Sequence, residues 1–238
     1  MATLNRTDEV RVFLESLLIQ TYKNFELIIV DQNDDNRLDD IISEYSDQIN
    51  IKHIKSNIKG LSHARNIGIK HSSGDILAFP DDDCIYPKNL LELVNRTFEK
   101  YDLDGLSIRL QDHSGRSIPK QFNNKMRKIN RLLIWTHISS VRLFLYKYVF
   151  NDIGYFDIEL GVGEISKWKA AEDIDLPIRA LNKGYTIKFI PDIYVIHEIS
   201  NSITGDDIKQ KKSIEKVYEY SAASGYVMRK HNFSMLFL

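Results

Sequence analysis

The 238-residue sequence has one cysteine, Cys84. A single thiol excludes an internal disulfide framework and any multi-cysteine zinc site. It fits a reducing compartment, which places the reading in the cytoplasm. No glycine precedes Gly60, so no glycine-rich phosphate loop opens the chain. No apolar run approaches the ~20 residues that cross a bilayer, and Met1-Ala2-Thr3-Leu4-Asn5-Arg6 has no hydrophobic signal region. The apolar ending, residues 233–238, is also too short to cross. It reads as a tail packed on the domain, with peripheral contact at the inner face of a membrane as the alternative. The formal net charge of -1 gives no electrostatic case for nucleic acid. Repeats and low-complexity tracts are absent as well.

What remains is an ordinary globular composition, 43% hydrophobic and 27% charged. Its most informative stretch is Gly74-Asp75-Ile76-Leu77-Ala78-Phe79-Pro80-Asp81-Asp82-Asp83. A short apolar run after a turn predicts a buried strand. Three adjacent carboxylates then repel one another unless positive charge sits among them, and oxygen ligands suit Mg²⁺ or Mn²⁺. The plainer reading is a solvated acidic turn, and for these three residues alone it is the stronger one.

The spacing of Val10, Phe13, Leu14, Leu17 and Leu18 predicts a helix over residues 8–20, with Asp8 placed to cap it. Leu27 to Asp31 reads as a strand buried on both faces. Residues 38–45 predict a helix, 49–54 a strand, 60–70 a helix carrying Arg65, 87–98 a helix and 103–110 a strand. This alternation implies an α/β fold, a mainly parallel central sheet with helices on both faces. Residues 113–131 are polar and basic and read as a loop or insertion. A strand is expected over 139–146, a flexible loop at Gly161-Val162-Gly163, and a helix from Glu172 to a C-cap at Gly184. Two short strands follow, 186–190 and 193–196, with His197 at the end of the second, and then a final helix over 206–224. A doubly wound sheet ordinarily begins with a strand. Here the first helix starts within ten residues of Met1, so the reading expects most of that strand upstream of the given start.

Five features occur in one order: Thr3-Leu4-Asn5-Arg6; Gln20 through Asp31; Gly60 to Gly68 with Ala64-Arg65-Asn66; the Asp81 to Asp83 run; and Glu172-Asp173-Ile174-Asp175-Leu176 with His197 downstream. Together they resemble the inverting family 2 glycosyltransferases of the GT-A fold. The resemblance covers roughly residues 1–200: a nucleotide-sugar-binding half, 1–112, and an acceptor half, 113–200. Residues 201–238 form a C-terminal helical extension outside it. The resemblance implies transfer of a hexosyl group from a nucleotide-diphospho-sugar, most often a UDP-sugar, to a glycan or lipid-linked acceptor in cell-surface polysaccharide biosynthesis. It implies that Thr3, Leu4, Asn5 and Arg6 line the nucleotide pocket, although the family often has an aromatic where this chain has Leu4. It further implies that Asp31 accepts a hydrogen bond from the base, Arg65 faces the phosphates and Asp81 contacts the ribose, with Asp82 in the variable middle position. Asp83 and His197 would hold Mn²⁺ or Mg²⁺, Asp173 would be the catalytic base with Glu172 beside it, and Trp168 and Gly163 would shape the acceptor side.

The chemistry accounts for such a set. Breaking the bond from C1 to a diphosphate builds negative charge on the leaving group, which a cation stabilises. One or two carboxylates suffice when the substrate phosphates supply the other ligands. The attacking hydroxyl must lose its proton to a positioned base, and Asp173 stands at a helix start, where the dipole favours its ionised form. Each residue also has a plainer role: helix cap for Asp173, strand-end turn for Asp31, surface arginine for Arg65, core histidine for His197, packed small residue for Cys84. Two competing classes are a Mg²⁺-dependent phosphohydrolase and a non-catalytic nucleotide-sugar-binding module.

Overall fold

The computed structural model describes residues 1–118, 125–197 and 207–234. Strand β1, Ala2–Thr3, precedes helix α1, Asp8–Leu18, which lays Val10, Phe13, Leu14 and Leu17 into the core. Thr7, one residue before the expected cap, occupies the N-cap position of α1. Strand β2, Leu27–Asp31, is buried along its whole length, as its unbroken apolar run requires. Helix α2, Asp39–Tyr45, strand β3, Ile51–Lys55, and helix α3, Leu61–His71, complete the first half's parallel sheet, in order β1-β2-β3.

The second sheet is mixed. Its strands are β4, Ile76–Ala78; β5, Cys84–Ile85; β6, Gly105–Gln111; β7, Ser117–Ile118; β8, Arg127–Lys128; β9, Leu143–Tyr146; and β10, Ile187–His197. The path runs β4-β9-β6-β10-β5. Parallel pairing is concentrated in β1-β2-β3 and in the long β6–β10 contact, while the short strands β4, β5, β7, β8 and β9 pair antiparallel. The two strands expected over 186–190 and 193–196 are one strand, β10, Ile187–His197. Its register shifts between Ile190 and Tyr194, around Pro191, which has no N–H for the ladder and so marks the bulge.

Helices cover both faces. α1 and α4, Leu90–Lys100, pack with Leu106, Ile108 and Val195 on one side. On the other lie α5, Ile134–His137; α6, Lys147–Ile153; α7, Glu172–Asn182; and α8, Asp207–Lys230, around Leu143, Leu145, Ile187 and Phe189. Each such side chain, when fully buried, contributes about 1.5–3 kcal/mol. The expected strand over 139–146 begins instead as a 3-10 turn, Ser140–Arg142, before β9. α8 runs six residues past its expected end, and Ala223 and Val227 are buried in the core on this side of the sheet. It is locked there through Asp175, whose carboxylate lies 2.7 Å from Lys230 Nζ and 2.8 Å from His231 Nε2.

Only two residues of β1 pair with β2. Beside them a cavity of about 580 Å³ opens between β2 and β4, lined by Met1, Ile28, Leu77 and Phe98 among others. Among the described residues, no helix is long and apolar enough to cross a membrane.

Candidate active site

The carboxyl ends of β1, β2, β4 and β10 meet the start of α7, which is where ligands bind in open α/β sheets. The three aspartates after β4 do not simply face one another; each has its own partner. Asp81 receives a hydrogen bond from Arg65 Nη2 at 3.0 Å. Asp82 accepts one from the Thr3 hydroxyl at 2.7 Å, and burial raises its carboxyl to about 6. Asp83 Oδ1 lies 3.0 Å from His197 Nε2, with Arg6 Nη2 3.9 Å from its other oxygen. The neighbouring His197 holds Asp83 below the usual carboxylate range.

Arg65 is the centre of the arrangement. It is buried, and its guanidinium reaches Glu172 Oε1 at 2.8 Å, Asp81 and the Ser140 hydroxyl, with the Phe156 ring 5.4 Å from its carbon. One buried cation therefore fastens the aspartate loop of the first half to the start of α7 in the second.

Glu172 and Asp173 open α7 directly after Ala171, which adopts a left-handed backbone with φ 68°. That conformation costs a residue with a Cβ roughly 1–2 kcal/mol. Pro177 supplies no N–H to the Asp173 carbonyl four residues earlier. The helix dipole does not set the Asp173 charge state as the sequence implied. Burial, and then the Glu172 carboxylate, raise Asp173 to about 7 despite the opposing pull of Arg65. A carboxylate poised near neutrality is suited to take a proton. Glu172, by contrast, is tied to Arg65.

Asp31 ends β2. It is wholly buried, and its oxygens already accept from the Asn33 backbone and side-chain N–H groups at 2.8 and 2.7 Å. Lys55 Nζ and His53 Nε2 lie 2.9 Å away. It organises the loop after β2. Asn33 passes the order on, accepting from the backbone N–H of Asn5 at 2.6 Å, where Asn5 takes φ 60°. Leu4 is half-exposed beside it, and Arg6 pairs with Glu9.

Trp168 stacks on Tyr226 of α8, centroids 4.5 Å apart, with Lys167 over its ring. Gly163 is a turn residue, φ 78°, pressed against Gly60. The loop around it docks on the first turn of α3: Leu61 N–H donates to Val162 O at 2.9 Å, the Ser62 hydroxyl to Leu160 O at 2.6 Å, and His63 N–H to Glu164 Oε1 at 2.9 Å. Ser140, Glu164 and Arg142 had no place in the sequence reading. Arg142 is buried with its Nε lacking a hydrogen-bond partner among the described residues, and burial lowers it to about 10. An arginine inside the apolar run Val141-Arg142-Leu143-Phe144-Leu145 was the signal available for it.

A divalent ion has a fitting donor set. Asp83, Cys84 and His197 each offer an atom, all within 4.8 Å of one another. Asp83 Oδ1 is buried without a hydrogen-bond donor among the described residues.

The profile of glycosyl transferase family 2 matches residues 1–153, more than half of the chain. The chain belongs to glycosyltransferase family 2. Glycosyltransferase AglE of Haloferax volcanii is 27% identical over 202 residues, 81% of this chain and 64% of that protein. The structure of Staphylococcus aureus TarS 1-349 in complex with UDP-GlcNAc aligns with a TM-score of 0.69 at 21% identity, covering 98% of this chain and 72% of that one. The mannosyltransferase PcManGT from Pyrobaculum calidifontis, in complex with GDP-Man and Mn²⁺, aligns with a TM-score of 0.66 at 16% identity, covering 84% and 56%. The chain spans between 13% and 64% of the length of the first curated relatives it matches. The fold is GT-A, as the sequence implied.

Proposed function

We propose that this chain transfers a hexose from a UDP-sugar to an acceptor hydroxyl with inversion at the anomeric carbon. The observation that carries the reading is the double grip of Arg65 on Asp81 and Glu172. With Asp81 on the diphosphate side and Asp173 as the base, that grip would bring both into one site, the juxtaposition a single displacement needs. Thr3 to Arg6 line the nucleotide side. Asp81 meets the ribose, and Asp31 supports the base pocket from behind through Asn33. Asp83 and His197 would hold Mn²⁺ or Mg²⁺, which when bound offsets charge on the departing diphosphate. Asp173 takes the proton from the acceptor hydroxyl, and Glu172 raises its basicity by like-charge repulsion. Inversion follows from one base opposite the leaving group, with no covalent intermediate.

The UDP preference draws support from the TarS complexes with UDP and UDP-GlcNAc, and the metal from the Mn²⁺ in PcManGT. The acceptor is a glycan or a lipid-linked glycan in cell-surface polysaccharide synthesis, at the cytoplasmic face of the membrane. The test is release of UDP from a panel of UDP-sugars with and without glycan acceptors, and the anomeric configuration of the product by NMR. Acceptor-dependent turnover with inversion is expected. Tight UDP binding with no turnover on any donor would favour the non-catalytic module instead.

A further inference from the structure

The metal-binding edge contains a residue that neither the motif nor the comparisons assign. Cys84 follows Asp83 directly and forms the first position of β5. In the antiparallel pairing of β5 with β10, Cys84 stands opposite His197. Residues directly opposite in such a ladder share a face, with Cβ atoms about 4.5–5.5 Å apart. The thiol is fully buried. Its sulfur lies within 4.8 Å of ligand atoms from both Asp83 and His197. Asp83 Oδ1 and His197 Nε2 are 3.0 Å apart, yet that oxygen has no hydrogen-bond donor among the described residues. An ion binding nitrogen, oxygen and sulfur at about 2.0–2.3 Å gathers atoms already this close with small side-chain movements.

We propose that Cys84 is a third protein ligand at this edge, so that the site takes thiophilic divalent ions such as Co²⁺ and Zn²⁺ in preference to Mg²⁺. The step is a simple exchange: a metal–sulfur bond forms, the S–H bond breaks heterolytically, and the proton leaves to solvent. No oxidant or reductant is involved. A carboxylate–imidazole pair alone suits Mg²⁺ or Mn²⁺, whereas adding a thiolate moves the preference toward softer ions. This inference rests on the donor-site reading above.

The test is a Co²⁺ titration of the full chain with UDP present, followed by absorption and by calorimetry, on wild type and Cys84→Ser. A near-ultraviolet thiolate-to-cobalt charge-transfer band that saturates with the binding isotherm is expected in wild type and absent in Cys84→Ser. The variant should weaken Co²⁺ and Zn²⁺ on the order of tenfold or more while changing Mg²⁺ by less than about twofold. Cobalt binding with no such band, and equal affinities in the two proteins, would overturn the role of Cys84 and leave the donor-site reading standing. Failure of Co²⁺, Mn²⁺ and Mg²⁺ alike to bind with UDP present would overturn both. Should Cys84→Ser fail to fold, Cd²⁺ added to wild type decides the matter by the presence or absence of cadmium–thiolate absorption.

Discussion

Replacing Asp173 with Asn should remove activity and make the protein more stable. The carboxyl rises from 3.8 to about 7 in the folded chain, because burial and Glu172 disfavour its charge. For an acid whose folded pKa is raised, stability is full below about pH 4 and falls as the pH climbs through 7. At about 1.4 kcal/mol for each tenfold change in proton affinity, the ceiling is about 4 kcal/mol. Asp173 keeps partial solvent access, which brings the expected gain in Asp173→Asn to about 2 kcal/mol at pH 8. Urea unfolding from pH 4 to 8 reads both parts. The gain should be near zero at pH 4, grow with pH and level off above 7. The wild-type rate on a UDP-sugar should rise with pH through an apparent pKa near 7. A variant that loses about 1 kcal/mol at every pH would mean that Asp173 is only a helix cap, and the argument for its role as base would fail.

Further outcomes follow from other contacts. Arg65→Met leaves Glu172 and Asp81 without their shared cation and should cost about 3–5 kcal/mol, measured as a lower urea midpoint; an unchanged midpoint would contradict the bridging role. Gly60 has φ 136°, and a Cβ there would overlap the Glu164 carboxylate. Gly60→Ala should therefore cost about 2–4 kcal/mol from backbone strain and overpacking, with faster proteolysis in the loop around Gly163 if the docking of Glu164 on α3 is lost. Asp175 is held well below the usual carboxylate range by the nearby His231 and Lys230, with Arg179 adding to the effect, despite its burial. Its contribution is present above pH 4 and lost as the pH falls below that, so Asp175→Asn should flatten the acid limb of the stability curve and free α8 to hydrogen exchange.

The parts of this account readable from sequence are those set by local pattern. The period of Val10, Phe13, Leu14 and Leu17 marked α1, the unbroken run of Leu27 to Val30 marked β2, and Gly184, with φ 93°, ended α7 as its position implied. Ordered motifs marked the candidate site because Asp81 to Asp83 and Glu172-Asp173 lie at element ends. What sequence could not supply were states set by neighbours distant in the chain. The burial of Asp31 depends on His53 and Lys55 of β3. The Asp82 contact depends on Thr3, 79 residues away, and the docking of Glu164 on His63 spans 101. The helix dipole argument for Asp173 failed because a like charge and burial outweighed it, and neither is a property of the helix alone. The bulge in β10 hid a continuous strand behind Pro191.

The most direct test of the central claim is the melting temperature with UDP, with Mn²⁺, and with both, beside Asp83→Ala. At a hundredfold excess over its Kd, a ligand that binds only the folded state adds about 2.7 kcal/mol. The account predicts a rise that needs both ligands and disappears in Asp83→Ala. Equal rises in wild type and variant, or none with both ligands present, would contradict it.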